Sequence, residues 1–217
     1  MFRDRADAAA RIAERLSHLR GTHPLVLAVP RGGVPMGAIV ADALEGELDV
    51  VLVRKLGAPG NPEFAVGAIG EDGTVQLNED VPPAALPPGY LERESDAQRE
   101  TLRRRRRLYS PVHPPIDPAG RTVIVVDDGA ATGSTLLAAV RVVRTRQPRR
   151  LVVALGVAPR DTLARLAEAA DEVVSVETPR SFFAVGQFYR DFSPVSDNEV
   201  IEVLRAARTG GMPPAVN

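Results

Sequence analysis

Residues 122–135, Thr-Val-Ile-Val-Val-Asp-Asp-Gly-Ala-Ala-Thr-Gly-Ser-Thr, constrain the chain more than any other stretch. Four β-branched residues, Val123 to Val126, predict a short buried strand, and two adjacent carboxylates, Asp127 and Asp128, fall where it ends. A loop of small residues follows. Ser134 and Thr135 then open an apolar segment, Leu136 to Val143, with helical spacing. A strand end, a glycine turn and a helix N-terminus together make an anion site, because unpaired N–H groups point outward there. Thr132, Ser134 and Thr135 add hydroxyl groups. The stretch therefore offers two acids for sugar hydroxyls or a metal, and a nest of donors for a phosphate. That pairing suits a phosphorylated ribose.

The remaining chain alternates strand and helix patterns. Asp4 to Leu19 reads as an amphipathic surface helix and Leu25 to Val29 as a buried strand. Pro30-Arg31-Gly32-Gly33 reads as a turn, and Pro35 suits the first turn of a helix running to Leu44. Asp49 to Val53 reads as a strand, Ala65 to Ile69 and Thr74 to Leu77 as a hairpin, and Pro82, Pro83, Pro87 and Pro88 as a stiff loop. Tyr90 to Tyr109 is a polar helix. Leu151 to Val157, a helix over Asp161 to Ala170, and Glu172 to Val176 continue the rhythm. Ser196-x-x-Glu199, with Val195 and Val200 as a staple, starts the last helix. The alternation predicts an α/β fold, a mostly parallel twisted sheet flanked by helices. A length of 217 residues fits one domain over 1–208, with a frayed tail at 209–217.

Composition excludes several function classes. A net charge of −1 gives no field that recruits nucleic acid or a membrane, and the absence of cysteine removes disulfide and thiol chemistry. The first twenty residues mix Arg3, Arg5, Arg11 and Arg15 with acids, unlike a signal peptide, and no apolar run is long enough to span a bilayer. A cytoplasmic enzyme is expected. The run Arg103 to Arg107 ends a helix whose first half is acidic, which matches the helix dipole, with Glu100 placed to pair with Arg104. It reads as a solvated helix or a homodimer contact rather than a nucleic-acid surface.

The string from Val123 to Thr135 resembles the 5-phosphoribosyl-1-diphosphate (PRPP) signature of the type I phosphoribosyltransferases. The resemblance runs over roughly residues 23–192 and implies that Asp127 and Asp128 hold the ribose 2′- and 3′-hydroxyls. It implies that Gly129, Ala130, Ala131, Thr132, Gly133, Ser134 and Thr135 wrap the 5′-phosphate. It further implies Mg2+ bridging pyrophosphate and ribose oxygens, touched by Asp127 or Asp128 directly or through water. By the same analogy Arg31, Gly32 and Gly33 hold the pyrophosphate, often through a cis peptide in this family, although the residues alone fit an ordinary tight turn. Lys55, the single lysine beside 26 arginines, follows Arg54 at a strand end, where the family commonly places a basic residue against the pyrophosphate.

Residues 54–120 are expected to carry a lid loop from Arg54 to Glu63, the hairpin and the polar helix. Arg54, Lys55 and Glu63 are the catalytic candidates, Glu63 as acid or base. Ala131 stands where the 6-oxopurine branch has a carboxylate, which disfavours hypoxanthine and guanine. Residues 181–192 gather five of the nine aromatics. The family's variable hood would then lie within 177–195, with Phe183, Phe188 or Tyr189 stacking on a base and Gln187 or Asp191 reading its edge. Core packing beneath the last helix fits the same residues. The implied activity is transfer of the 5-phosphoribosyl group to a nitrogen nucleophile with release of pyrophosphate. The competing class is a non-catalytic PRPP sensor that binds RNA or DNA.

Overall fold

The structure, a computed structural model, describes residues 1–77, 81–82, 86–109, 112 and 114–208, without the side chains of 62, 63 and 65. The strands are β1 (Leu25–Ala28), β2 (Glu47–Val50), β3 (Val53–Ala58), β4 (Asn61–Gly70), β5 (Val75–Leu77), β6 (Thr122–Gly129), β7 (Arg150–Val157) and β8 (Glu172–Glu177). The helices are α1 (Arg5–Arg15), α2 (Gly33–Ala43), α3 (Tyr90–Tyr109), α4 (Ser134–Thr145), α5 (Arg160–Ala167) and α6 (Asp197–Arg208).

Five strands pair in parallel in the order β2-β1-β6-β7-β8. Their apolar residues are buried on both faces, as a helix-covered parallel sheet requires. Val26, Ala28, Ile124, Val126, Val152 and Ala154 face a core shared with α1, α2 and α6. The alternate residues Leu25, Leu27, Val123, Val125, Leu151 and Val153 face α4 and α5. From β1 the chain moves outward to β2, then returns on the other side of β1 as β6. The strand order reverses there, and the loops after β1 and β6 emerge side by side. In open α/β sheets this crevice at the carboxyl ends of the strands is where ligands bind.

The second sheet differs from the sequence expectation. Arg54 to Glu63 was expected to form a long irregular lid. Instead β3 and β4 pair antiparallel across this segment, with irregular register between Leu56 and Gly57 and between Gly57 and Ala58. Gly60, at φ +74°, supplies the left-handed residue of the tight connection. The expected hairpin forms as β4 and β5. Pro83 and the tail from Thr209 lie outside the described residues.

α3 spans the expected residues, but its arginine run is not uniformly solvated. Arg106 turns inward to Asp49 and Glu71 and donates to the Val50 carbonyl at 3.1 Å. Asp49 is only 2% exposed and also accepts from the Val50 and Ile116 N–H groups. Burial opposes the Arg106 charge, and Glu71 and Asp49 more than restore it, so its pKa is raised. Glu100 pairs with Arg107 rather than Arg104. The capping box forms as read: Glu199 N–H donates to Ser196 Oγ at 3.2 Å, while Ser196 N–H donates to Glu199 Oε2 at 2.6 Å. No helix among the described residues is long and apolar enough to cross a membrane.

Replacing Arg106 by Met strands two carboxylates, one of them fully buried. Breaking a buried pair from one side typically costs about 3 kcal/mol. Urea denaturation of Arg106→Met should show a loss of that order, against a loss within about 0.5 kcal/mol for the exposed Arg103→Met.

Candidate functional site

The β1–β6 pairing aligns Ala28 with Val126, and Val29 N–H donates to the Val126 carbonyl at 2.9 Å. That register sets Pro30 to Gly33 against Asp127 and Asp128. The Pro30–Arg31 peptide is cis. The fit is tight: a Cβ on Gly32 would lie 2.1 Å from Asp128 Oδ2, and one on Gly33 would lie 2.7 Å from the Val126 carbonyl oxygen. The end of β6, with the acid pair, occupies the space that side chains at these two positions would take. The N–H groups of Arg31 and Gly32 have no protein acceptor among the described residues. The Arg31 side chain is exposed, and its charge is felt at Tyr109 and Glu199, on the side of α3 and α6.

Asp127 and Asp128 are half-buried at the end of β6. Asp127 Oδ1 accepts the Asp128 N–H at 2.9 Å. Burial, and then the neighbouring Asp128 charge, push the Asp127 carboxyl well above the usual carboxylate range. Burial raises Asp128 as well, offset in part by Arg5. Arg5 is a residue that the sequence reading missed. From the first turn of α1 its Nε donates to Asp128 Oδ2 at 3.0 Å and its terminal nitrogen lies at 2.9 Å from the same oxygen. It also donates to the Ser193 carbonyl at 2.8 Å and stacks on Phe192 with 4.0 Å to the ring centroid. One signal was available: the helix dipole disfavours a cation in a first turn, so an arginine there needs a partner.

The loop after the acids is gripped from outside. Thr162 and Arg165 of α5 donate to the carbonyls of Ala131 and Thr132 at 2.7 and 2.6 Å. Ala130 N–H donates to the Val157 carbonyl at 3.0 Å. Gly133 sits at φ +68°, with Thr162 packed where its Cβ would be. With the carbonyls held outward, the N–H groups of Thr132 to Thr135 have no protein acceptor among the described residues, and they lie at the N-terminus of α4. The Thr132 and Ser134 hydroxyls are 3.2 Å apart beside them. This is a concave cluster of donors at a helix start, which is anion-binding geometry.

Beside the two turns lies a cleft of about 340 Å³, whose lining includes Pro30, Arg54, Lys55, Gln98, Arg105 and Thr135. Arg54 and Lys55 therefore sit within reach of both turns, though inside β3 rather than at a strand end. The side chain of Glu63 lies outside the described residues.

The aromatic segment splits between the two readings. Tyr189 is a core residue: it is 6% exposed, packs on Phe2 and Phe192 with ring centroids 5.0 Å away in each case, and donates to the Asp128 carbonyl at 2.6 Å. Burial and the nearby Asp128 push its phenol pKa up. It is not available to stack on a base. Phe188 is partly buried against Phe182, with centroids 5.3 Å apart. Gln187 Oε1 accepts the N–H groups of Phe183 and Ala184 at 3.0 and 3.2 Å, and Asp191 accepts from Ser193. Phe183, at 88% exposed, stands in solvent.

A family model for the phosphoribosyl transferase domain matches residues 2–193. Two Mycobacterium tuberculosis proteins, from strains CDC 1551 and H37Rv, carry provisional phosphoribosyl transferase names and are each 45% identical over 208 residues. The match takes in 95% of this chain and 47% of theirs, so the chain spans about half the length of these relatives. The crystal structure of TT1426 from Thermus thermophilus is 48% identical, with a TM-score of 0.86 over 94% of this chain and 97% of that one. The match over nearly the whole chain, together with an acid pair and a donor-rich turn at the sheet's switch point, makes this chain a member of the phosphoribosyl transferase domain family.

Proposed function

We propose that the chain transfers the 5-phosphoribosyl group of PRPP to a nitrogen nucleophile, a nucleobase or related heterocycle, with release of pyrophosphate. One observation carries the reading: two turns with unpaired N–H groups flank a carboxylate pair at the switch point of the sheet. Phosphoribosyl diphosphate has the complementary layout, with hydroxyls between two anionic ends. In this reading Asp127 and Asp128 accept hydrogen bonds from the ribose hydroxyls. The loop Gly129 to Thr135 wraps the 5′-phosphate, with the N–H groups of Thr132 to Thr135 and the neighbouring hydroxyls as donors. The free N–H groups of Arg31 and Gly32 take the diphosphate, with Arg54 and Lys55 against it. As the C1–oxygen bond breaks, positive charge grows on the sugar and negative charge on the leaving group. Donors already aimed at that group lower the barrier without reorganising. Glu63 keeps its candidacy as acid or base through the family resemblance alone.

The acid pair fits a divalent cation. Two adjacent carboxylates, raised by burial and repulsion, gain from a shared positive charge. No group of three or more His, Cys, Asp or Glu side chains is placed for a metal among the described residues. The chemistry therefore matches Mg2+, which keeps waters and takes one or two carboxylates plus substrate phosphates. Asp127 and Asp128 would hold it, directly or through water, and it would supply charge neutralisation at the diphosphate.

The exposed Phe183 supports base recognition at the C-terminal aromatic segment. Stacking on an aromatic is worth about 1–3 kcal/mol per base in single-strand binders. Phe183→Ala should fold normally, keep PRPP affinity and lose roughly tenfold or more in base turnover. Tyr189→Ala should instead lose about 3–5 kcal/mol of stability, as a large aromatic removed from the core does. Normal base turnover in Phe183→Ala would move base recognition elsewhere.

Titration calorimetry with magnesium and PRPP should show Asp128→Asn binding at least tenfold more weakly than wild type, the loss expected when charge-assisted hydrogen bonds are removed. A panel of bases and amines should include one that releases pyrophosphate. Binding without release across the panel would favour the sensor class. Lys55→Ala should weaken PRPP more than ribose 5-phosphate, which lacks the diphosphate. Equal weakening of both would point to general charge.

A further inference from the structure

The partly buried arginines of this structure generally have partners. Arg5, Arg11, Arg106, Arg121, Arg144 and Arg150 are all in ion pairs. The cleft beside Pro30 is different. Lys55 and Arg105 line it, both are partly buried, and neither has a hydrogen bond or ion pair among the described residues. Arg54, on the same wall, is not left to solvent either. Its Nε donates to Gln98 Oε1 at 3.0 Å, and Gln98 Nε2 in turn donates to Glu94 Oε1 at 3.0 Å. Gln98, Glu94 and Arg105 all belong to α3, an element outside every loop that the sequence resemblance assigns to PRPP. α3 is fixed in place at three points. Tyr90 donates to the Gly57 carbonyl at 2.9 Å, Arg106 enters the Asp49–Glu71 pair, and Tyr109 donates to Asp197 at 2.9 Å.

Partly buried cations with no counter-charge are costly unless an anion joins them. The cleft holds these two cations and a third fixed in orientation against one lining carboxylate, Glu94, which accepts from Gln98; with a turn of free N–H groups beside it, this excess of positive charge matches a ligand of several negative charges. A planar guanidinium can bridge two phosphate oxygens at once, while an ammonium acts as a point charge. We propose that α3 is a wall of the diphosphate site: Arg105 binds the diphosphate directly, opposite Lys55, and Gln98, oriented by Glu94, positions Arg54. This rests on the PRPP reading above. It adds that the arginine run of α3 is divided by task. Arg105 faces ligand, Arg106 locks the helix, and Arg103, Arg104 and Arg107 face solvent.

The test compares Arg105→Gln, Arg105→Lys and the exposed neighbour Arg104→Gln by titration calorimetry with magnesium and PRPP, inorganic pyrophosphate and ribose 5-phosphate. Thermal melts check the fold of each variant. Arg105→Gln should weaken PRPP and pyrophosphate tenfold or more and leave ribose 5-phosphate within twofold. Arg105→Lys should recover part of the loss, and Arg104→Gln should match wild type. If Arg105→Gln folds and binds PRPP like wild type, or if Arg104→Gln weakens binding equally, the proposal fails and the PRPP reading stands. If wild type binds neither PRPP nor pyrophosphate, both fall. Should Arg105→Gln not fold, Arg105→Lys decides alone. A folded Arg105→Lys that weakens PRPP and pyrophosphate but not ribose 5-phosphate supports the contact, and unchanged affinity for all three contradicts it.

Discussion

Two adjacent carboxylates at the end of the central strand are the constraint around which the rest of the site is arranged. β6 is apolar on both faces until Asp127, so the acids emerge from a dry sheet with little solvent to share their charge. Burial and repulsion raise both. The chain offsets this with one cation, Arg5, and with backbone N–H groups. Arg5 reaches Asp128 from 123 positions away and requires a neighbour without a side chain. A Cβ at Gly32 would lie 2.1 Å from Asp128 Oδ2 and 3.2 Å from Arg5 Nε. The Pro30–Gly33 turn, the first turn of α1 and the end of β6 thus form one packed unit.

That unit extends to the C-terminal segment. Phe2 N–H donates to the Phe188 carbonyl at 2.7 Å, and Arg190 N–H returns to the Phe2 carbonyl at 3.0 Å. Arg5 holds Ser193, and Tyr189 holds the Asp128 carbonyl. The residues beside the only strongly exposed aromatic of this segment, Phe183, are therefore bonded through two routes to the acid pair itself. A ligand that orders one end of this network acts on backbone that the other end shares.

Much of this was legible in the sequence wherever a local pattern decides structure. The β-branched run before Asp127, the Ser196–Glu199 box and the amphipathic spacing of Asp4 to Leu19 each predicted their element, because hydrophobic period and capping act within a few residues. The β3–β4 ribbon was not legible. Gly57, Pro59 and Gly60 read as loop chemistry, and only pairing with β4, with a register irregularity at Gly57, makes the segment a strand. Arg5 was missed, and Tyr189 stayed open between stacking and core packing, for a related reason. Arg5 and Tyr189 meet partners far along the chain, at Asp128, and an arginine-rich composition hides which cations are engaged. For Tyr189 both readings fitted, because aromatic clustering alone does not separate a core from a binding surface.

The central claim is that one site holds all three parts of PRPP in a fixed order. A crystal structure of the chain with magnesium and PRPP tests it most directly. The account predicts the 5′-phosphate against the N–H groups of Thr132 to Thr135, the ribose hydroxyls on Asp127 and Asp128, and the diphosphate between Arg31–Gly32 and Lys55. Density for the 5′-phosphate in the Lys55 cleft, or for PRPP away from the acid pair, would contradict it.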